Sequence, residues 1–247
     1  VATGTDHDER TGTPGPAPVR RRRGAVAAVI SVFGELLITA GLVLALFVVY
    51  SLWWTNVLAD REASAQGDSV RRDWAAGAGP GALDTKGGIG FLHVPAMKNG
   101  EVLVKKGTDT DVLNGGVAGY YTDPVKATLP GAAKTGNFTL AAHRDGHGAK
   151  FHNIDKLKDG DAVVFETKDT WYVYKVFAEL TETSKYNVDV LQPVPKESGA
   201  KKPGQYITLT TCTPVYTSDY RYIVWGELVR TAKVDTKRTK PAELRQP

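Results

Sequence analysis

A single cysteine, Cys212, stands in the sequence, so no disulfide can form within the chain. The same count excludes a zinc site made of four cysteines. The 13 prolines and 26 glycines follow no regular spacing, which excludes a collagen-like chain. Wholesale disorder is excluded by 42% hydrophobic and 23% charged residues. Large apolar residues are missing from residues 11–18, and charge is almost missing from residues 24–54, where Glu35 stands alone. What remains is a chain of 247 residues with a formal charge of +4, enough for one to two domains.

These gaps divide the chain. Residues 1–23 read as a disordered tail that ends in four arginines, Arg20 to Arg23. Residues 25–52 would form roughly 42 Å of helix, and a bilayer needs only about 20 residues. The stretch from Leu36 to Trp54 spans almost alone, which leaves Glu35 near one interface and Trp53 and Trp54 at the other. A buried helix of a soluble core would show a polar face over such a length. A cleaved signal peptide would have an apolar core of only about 7–15 residues, and Ala63-Ser64-Ala65 lies far from the apolar run. An uncleaved anchor over 24–54 is expected. The arginine block alone could be a nucleic-acid patch, but positive charge beside a first span is explained by its staying cytoplasmic. The rest of the chain is then extracellular, with no nucleic-acid partner. Residues 55–87 read as an extracellular linker with a short helix before Arg72 and a glycine- and alanine-rich spacer over 75–81. Residues 88–234 form the folded domain, and the charged residues 235–247 a frayed C-terminal tail.

Within 88–234 the apolar pattern is short and of period two. Candidate strands cover 89–94, 102–105, 137–142, 162–167, 170–180, 206–210 and 222–228, rich in Val, Ile, Thr, Tyr and Phe. Helical signals are weak, over 110–118 and 151–154. The pattern suits an all-β sandwich or barrel and does not choose between them.

Cys212 ends one strand-like run and is either inert packing or a nucleophile. A nucleophile needs a proton-handling partner and a cation for its thiolate or an oxyanion. His143 ends the strand-like run over 138–142. Arg221 begins the strand after the loop over 213–220. If those two strands are neighbours, Cys212 and Arg221 share a groove. His147 and His152 follow His143, but His143-x3-His147 lacks the glutamate of a metalloprotease helix and no ligand carboxylates cluster beside it, so no metal is expected. His143-Arg144-Asp145 is shared with kinase catalytic loops, yet no glycine-rich loop accompanies it. His93, inside an apolar strand, reads as structural, and the tyrosines of the 213–220 loop as recognition or packing.

Thr208-Leu209-Thr210-Thr211-Cys212 resembles the TLxTC motif of sortases, the membrane-anchored cysteine transpeptidases of Gram-positive surfaces. The spacing from Cys212 to Arg221, the strand-end His143-Arg144-Asp145 and the Pro130-Gly131 and Gly136-Asn137 pairs before it are similar to the same family, as are Phe151, Leu157, Gly160 and Asp161. The likeness covers residues 88–228 and the anchor layout, and the class E sortases of actinobacteria are the most similar. Two positions depart: Ala142 stands where the family often has glycine, and no histidine occurs over 116–120. The resemblance implies a closed eight-stranded β-barrel with short helices behind one transmembrane helix. It implies that Cys212 attacks the Thr–Gly bond of a C-terminal sorting signal of LAxTG or LPxTG type. His143 would protonate the leaving amine and Arg221 would hold the oxyanion, with Thr211 shaping the substrate site. It implies no cofactor. The partners are surface proteins that carry the signal, the amine of a lipid-linked cell-wall precursor, and the membrane. Another extracellular cysteine peptidase, a peptidoglycan transpeptidase and a non-catalytic wall-binding module stay open as alternatives.

Overall fold

The computed structural model describes residues 24–77 and 87–245. The tail over 1–23 with its arginine block, the part of the spacer over 78–86 and the last two residues lie outside the described residues. The chain divides into two units, residues 1–47 and 48–247. The first contributes most of helix α1 (Ala25–Val49), 25 residues with a mean hydropathy of 2.5 and no buried side chain. It is long and apolar enough to cross a bilayer. A π-helical turn (Tyr50–Trp54) follows, and then helix α2 (Thr55–Ala75).

The second unit is a closed barrel. Its strands are β1 (Gly90–His93), β2 (Glu101–Lys106), β3 (Ala118–Tyr120), β4 (Gly136–Ala141), β5 (Ala162–Glu166), β6 (Thr170–Ser184), β7 (Gln205–Thr213) and β8 (Tyr220–Lys233). They close in the order β1-β2-β3-β4-β7-β8-β6-β5. The resemblance implied this barrel, and closure also removes the edges that an open sheet would expose. The pairs β2–β3 and β4–β7 are parallel and the others antiparallel. Each of the seven candidate strands becomes one of these elements. The eighth, β3, is the three-residue Ala-Gly-Tyr, which falls where the sequence suggested the end of a helix. That helix, α3 (Thr110–Leu113), stops after one turn.

Alternation sorts the side chains into layers. Leu92, Val104, Phe138, Leu140, Phe165, Ile207, Leu209 and Val224 fill the interior. The outward Trp225 is fully buried by Val190 and Leu191 of the β6–β7 connection, and its indole N–H donates to the Val190 carbonyl. α2 lies on another outer face. Its buried stripe is Ala59, Ala63, Gly67 and Val70, and it packs on Phe91, Leu103 and Val117. Small residues let the helix come close: a Cβ on Gly67 would stand 3.1 Å from the Phe91 ring.

Backbone also meets backbone at β3. A Cβ on Gly119 would lie 2.0 Å from the Gly107 carbonyl oxygen and 3.0 Å from Leu113 Cδ2. Gly119→Ala is therefore expected to cost about 2 kcal/mol or more through overpacking. Urea unfolding should show a lower midpoint at an unchanged slope, and an unshifted midpoint would refute this reading of the contact.

Candidate active site

Cys212 lies on β7, the strand between β4 and β8. On the β8 side its direct register partner is Arg221. Residues opposite one another in an antiparallel pair share a face, with Cβ atoms roughly 5 Å apart. Next along, Thr211 pairs with Tyr222, and Tyr222 belongs to the interior. Alternation therefore turns Thr211 inward and Cys212 with Arg221 outward. On the β4 side the parallel register runs to Ala141 opposite Thr210, and the Ala142 N–H continues it to the Thr210 carbonyl. His143 follows two residues after Ala141, just past the end of β4, as Cys212 follows two residues after Thr210. Three neighbouring strand ends thus set His143, Cys212 and Arg221 side by side. His143 and Cys212 line one open cavity of about 500 Å³, together with Tyr216 and Ser218 of the β7–β8 loop.

Each side chain has a defined state. Cys212 is a half-buried free thiol. His143 Nε2 lies 2.8 Å from Asn114 Oδ1 at the end of α3. An acceptor there places the proton on Nε2 and leaves Nδ1 for proton exchange. Burial first, and then the neighbouring His147, hold the His143 imidazole below its ordinary pKa, against the opposing charge of Asp145. The Arg221 guanidinium turns Nη1 to the carbonyls of Ser218 and Tyr220. Its Nε and Nη2 make no hydrogen bond among the described residues.

The sequence motif His143-Arg144-Asp145 has three separate duties. Arg144, only 6% exposed, donates to Thr213 Oγ1 at 2.8 Å and to the Cys212 carbonyl at 3.4 Å. It also reaches Asp155 at 3.4 Å and covers the Tyr222 ring. Asp145 Oδ2 accepts the Tyr216 N–H at 2.6 Å, which pins the β7–β8 loop to the histidine loop. His152 Nδ1 lies 2.9 Å from the Arg144 carbonyl and is structural. Thr211 is buried, and its hydroxyl donates to the Ala142 carbonyl at 2.7 Å. It ties the cysteine strand to the residue before His143 and does not open onto the groove. Outward instead are Thr210 and Tyr121, whose hydroxyls lie 2.9 Å apart. Burial holds the Tyr121 phenol above its ordinary pKa, against its bond to Thr210 and the charge of Arg221, so it stays neutral.

Asn114, Tyr121, Arg144 and Asp145 carry no assignment in the sequence reading. Asn114 lay inside the helical stretch expected over 110–118, and only the early end of α3 at Leu113 makes it the cap. Elsewhere among the described residues, His93, Glu101 and Glu166 gather their ligand atoms within 4.8 Å of one another. The Glu166 oxygens are already held by the guanidiniums of Arg71 and Arg238. Two fixed cations make that donor set a poor fit for a metal.

Comparison with known proteins adds a family. A family model described as "Sortase domain" matches residues 92–229. Sortase SrtE2 of Streptomyces coelicolor is 69% identical over 99% of each chain. Sortase SrtE1 of the same organism is 46% identical over 85% of this chain, and this chain spans 60% of its length. Among solved structures, sortase E1 from Streptomyces coelicolor, crystallised with a tripeptide in the active site, matches 64% of this chain and 96% of its own at a TM-score of 0.60 and 46% identity. Sortase E from Streptomyces avermitilis matches 63% and 95% at a TM-score of 0.55 and 35% identity.

Proposed function

This chain belongs to the sortase family, with class E members among its relatives, and from that premise we propose that Cys212, His143 and Arg221 cleave a sorting signal and transfer its acyl part to a cell-wall amine. Sortases are cysteine transpeptidases, so the chain is an enzyme of that type. The observation that carries the assignment is the placement of Cys212 between His143 and Arg221 on three adjacent strand ends.

The reaction exchanges one amide for another with no redox step. The Cys212 thiolate attacks the threonine carbonyl of an LAxTG or LPxTG signal. The carbonyl oxygen takes the charge, and Arg221 donates to it through the N–H groups that make no hydrogen bond among the described residues. The protonated Nδ1 of His143 gives its proton to the glycine nitrogen as the C–N bond breaks. A proton donor held below its ordinary pKa gives up that proton readily. A thioester on Cys212 and a free glycine amine remain. An amine of the cell-wall precursor then attacks the thioester, its proton returns to the imidazole, and the thiolate leaves. Thr211 takes part from behind, by fixing β7 to the end of β4.

α1 suits a single-pass anchor. The arginines before it favour a cytoplasmic N-terminus and an outer catalytic domain on a Gram-positive surface. Anchoring confines the enzyme to the layer that holds its membrane-retained substrates and lipid-linked precursor, which raises their effective concentration.

Intact-mass analysis tests the reading. The full chain in detergent micelles is incubated with LAxTG and LPxTG peptides, with and without a glycine amine. The expected result is an adduct on Cys212 equal to the peptide up to threonine, and a ligated product only when the amine is present. Folded protein with an alkylatable thiol and no Thr–Gly cleavage would instead support a different cysteine peptidase or a peptidoglycan transpeptidase.

A further inference from the structure

We infer that the first two turns of α2 belong to the active site as positioning elements: Asn56 and Asp60 hold the loop over 146–150 that sets His147 against His143. The inference rests on the proposed role of His143.

That loop does not hold itself. Gly146, His147, Gly148 and Ala149 have φ values of 63°, 46°, 82° and 39°. Two of these four left-handed residues carry a Cβ, a conformation that persists only where the surroundings impose it. The surroundings here are largely α2. The Gly148 N–H donates to Asn56 Oδ1 at 2.8 Å. The Lys150 ammonium donates to Asp60 Oδ1 at 2.7 Å, with the lysine side chain 13% exposed. A Cβ on Gly148 would stand 3.1 Å from Asp60 Oδ1 and 3.2 Å from Gly116 Cα. Helix, loop and the turn after α3 therefore meet at one point.

From that point α2 reaches His143 by two routes. Through the loop, the His147 ring lies 5.5 Å from the His143 ring, tilted by 37°. Through the turn, Gly116 packs on the α2 backbone, where a Cβ would come 2.8 Å from the Ala59 carbonyl oxygen. Two residues before it, Asn114 accepts the His143 Nε2–H. Docking of α2 does not itself require these polar contacts, because its other end is fixed by Arg71 and by the packing of Trp74 on Phe91. The groups that approach His143 from the surrounding elements are Asn114 after α3, Cys212 of β7 with Arg221 of β8 opposite it, Asp145 and His147 on its own loop, and Asp60 and Lys150 behind that loop.

The test uses the full chain in detergent micelles, with Asp60→Ala, Asn56→Ala, and the reversed pair Asp60→Lys with Lys150→Asp. Three quantities are read: kcat and KM for Thr–Gly cleavage, the titration midpoints of the His143 and His147 imidazoles by NMR, and the thermal midpoint. In each alanine variant kcat should fall about tenfold, with KM within twofold, as for misplacement of a proton-transfer group. The His143 midpoint should rise, because a released loop exposes the ring and removes His147 from beside it. The reversed pair should recover most of the lost kcat, and Asp68→Asn on the same helix should change nothing. Unchanged kcat and an unmoved His143 midpoint would overturn the inference. So would a loss of activity that follows the thermal midpoint alone while His143 titrates as before. If the wild-type chain cleaves no Thr–Gly bond, the proposed function fails, and the His143 and His147 midpoints still decide whether α2 positions the loop.

Discussion

Replacing Glu166 by glutamine is expected to destabilise the barrel unit by about 3–5 kcal/mol, the usual cost of removing one partner from a buried charge cluster. The residue is 1% exposed at the end of β5. Its Oε1 accepts from Arg71 at 3.1 Å and from two nitrogens of Arg238 at 2.8 and 2.6 Å. Its Oε2 lies 2.9 Å from both Arg71 Nη2 and His93 Nε2. Arg71 comes from α2 and also pairs with Glu101 on β2 at 2.6 Å. Arg238 comes from the segment after β8 and stacks on Trp74 of α2. One carboxylate thus joins α2, two strands and the C-terminal segment, and glutamine would leave Arg238 without a counter-charge and Arg71 with Glu101 alone. The sign with pH follows from the same contacts. Burial opposes the charged form, but hydrogen bonds from His93 and Arg71 and the charge of Arg71 outweigh it, so the pKa falls from 4.5 to about 2. The folded value lies below the unfolded one. The stabilisation is therefore complete above about pH 4.5 and is lost as pH falls through about 2, on the order of 3 kcal/mol in all. Thermal unfolding of the full chain should show a midpoint about 10 °C lower for Glu166→Gln at neutral pH. The gap should close on acidification. A midpoint within 2 °C of wild type at pH 7 would refute the role of this cluster.

That cluster was not legible in the sequence, and the reason is physical. Residues 55–77 carry only a few scattered large apolar side chains and read as a linker, whereas α2 docks through small residues, Val70, Trp74 and one arginine. The segment after β8 read as a frayed tail because of its charge. Its Val234 and Leu244 nonetheless pack beside Trp171, and its Arg238 meets a buried acid. A charge looks solvated in sequence until its partner is known, and Glu166 is 72 residues from Arg238. The barrel interior was legible because alternation is local. β6 was read as ending at 180, since its remaining residues Thr181 to Ser184 are polar and pair with β8 through an irregular register. β3 has three residues and no period. At the site, Cys212, His143 and Arg221 stood out because each sits at a strand end beside a loop. What brings His143 to Cys212 is the parallel pairing of β4 with β7, a contact between distant residues that no local pattern encodes. Asn114, Tyr121 and Arg144 act only through that assembly.

Two arginines flank Cys212, and substitution should separate their work. Arg221→Ala is expected to slow formation of the Cys212 thioester by about 10²–10³, the usual effect of losing an oxyanion donor, while the thermal midpoint stays within 2 °C. Arg221 is the β8 partner that shares the outward face with Cys212. Its bonds are to the Ser218 and Tyr220 carbonyls, which water can satisfy in its absence. Lysine should restore little, because a point charge does not reproduce a planar fork of N–H groups. Arg144→Ala should do the reverse and lower the thermal midpoint. Arg144 is buried and holds Thr213 and the Cys212 carbonyl from within. Its removal strands those groups and Asp155, and any loss of rate should follow the loss of folded protein. Cys212→Ala should remove the thioester outright and leave the midpoint unchanged, because a half-buried thiol at a strand end contributes little packing. Single-turnover mass spectrometry beside thermal unfolding reads all of these variants in one experiment. If Arg221→Ala acylated at the wild-type rate, the oxyanion would have to be held by other donors. Then the register that sets Arg221 opposite Cys212 would be a feature of the barrel and not of the reaction.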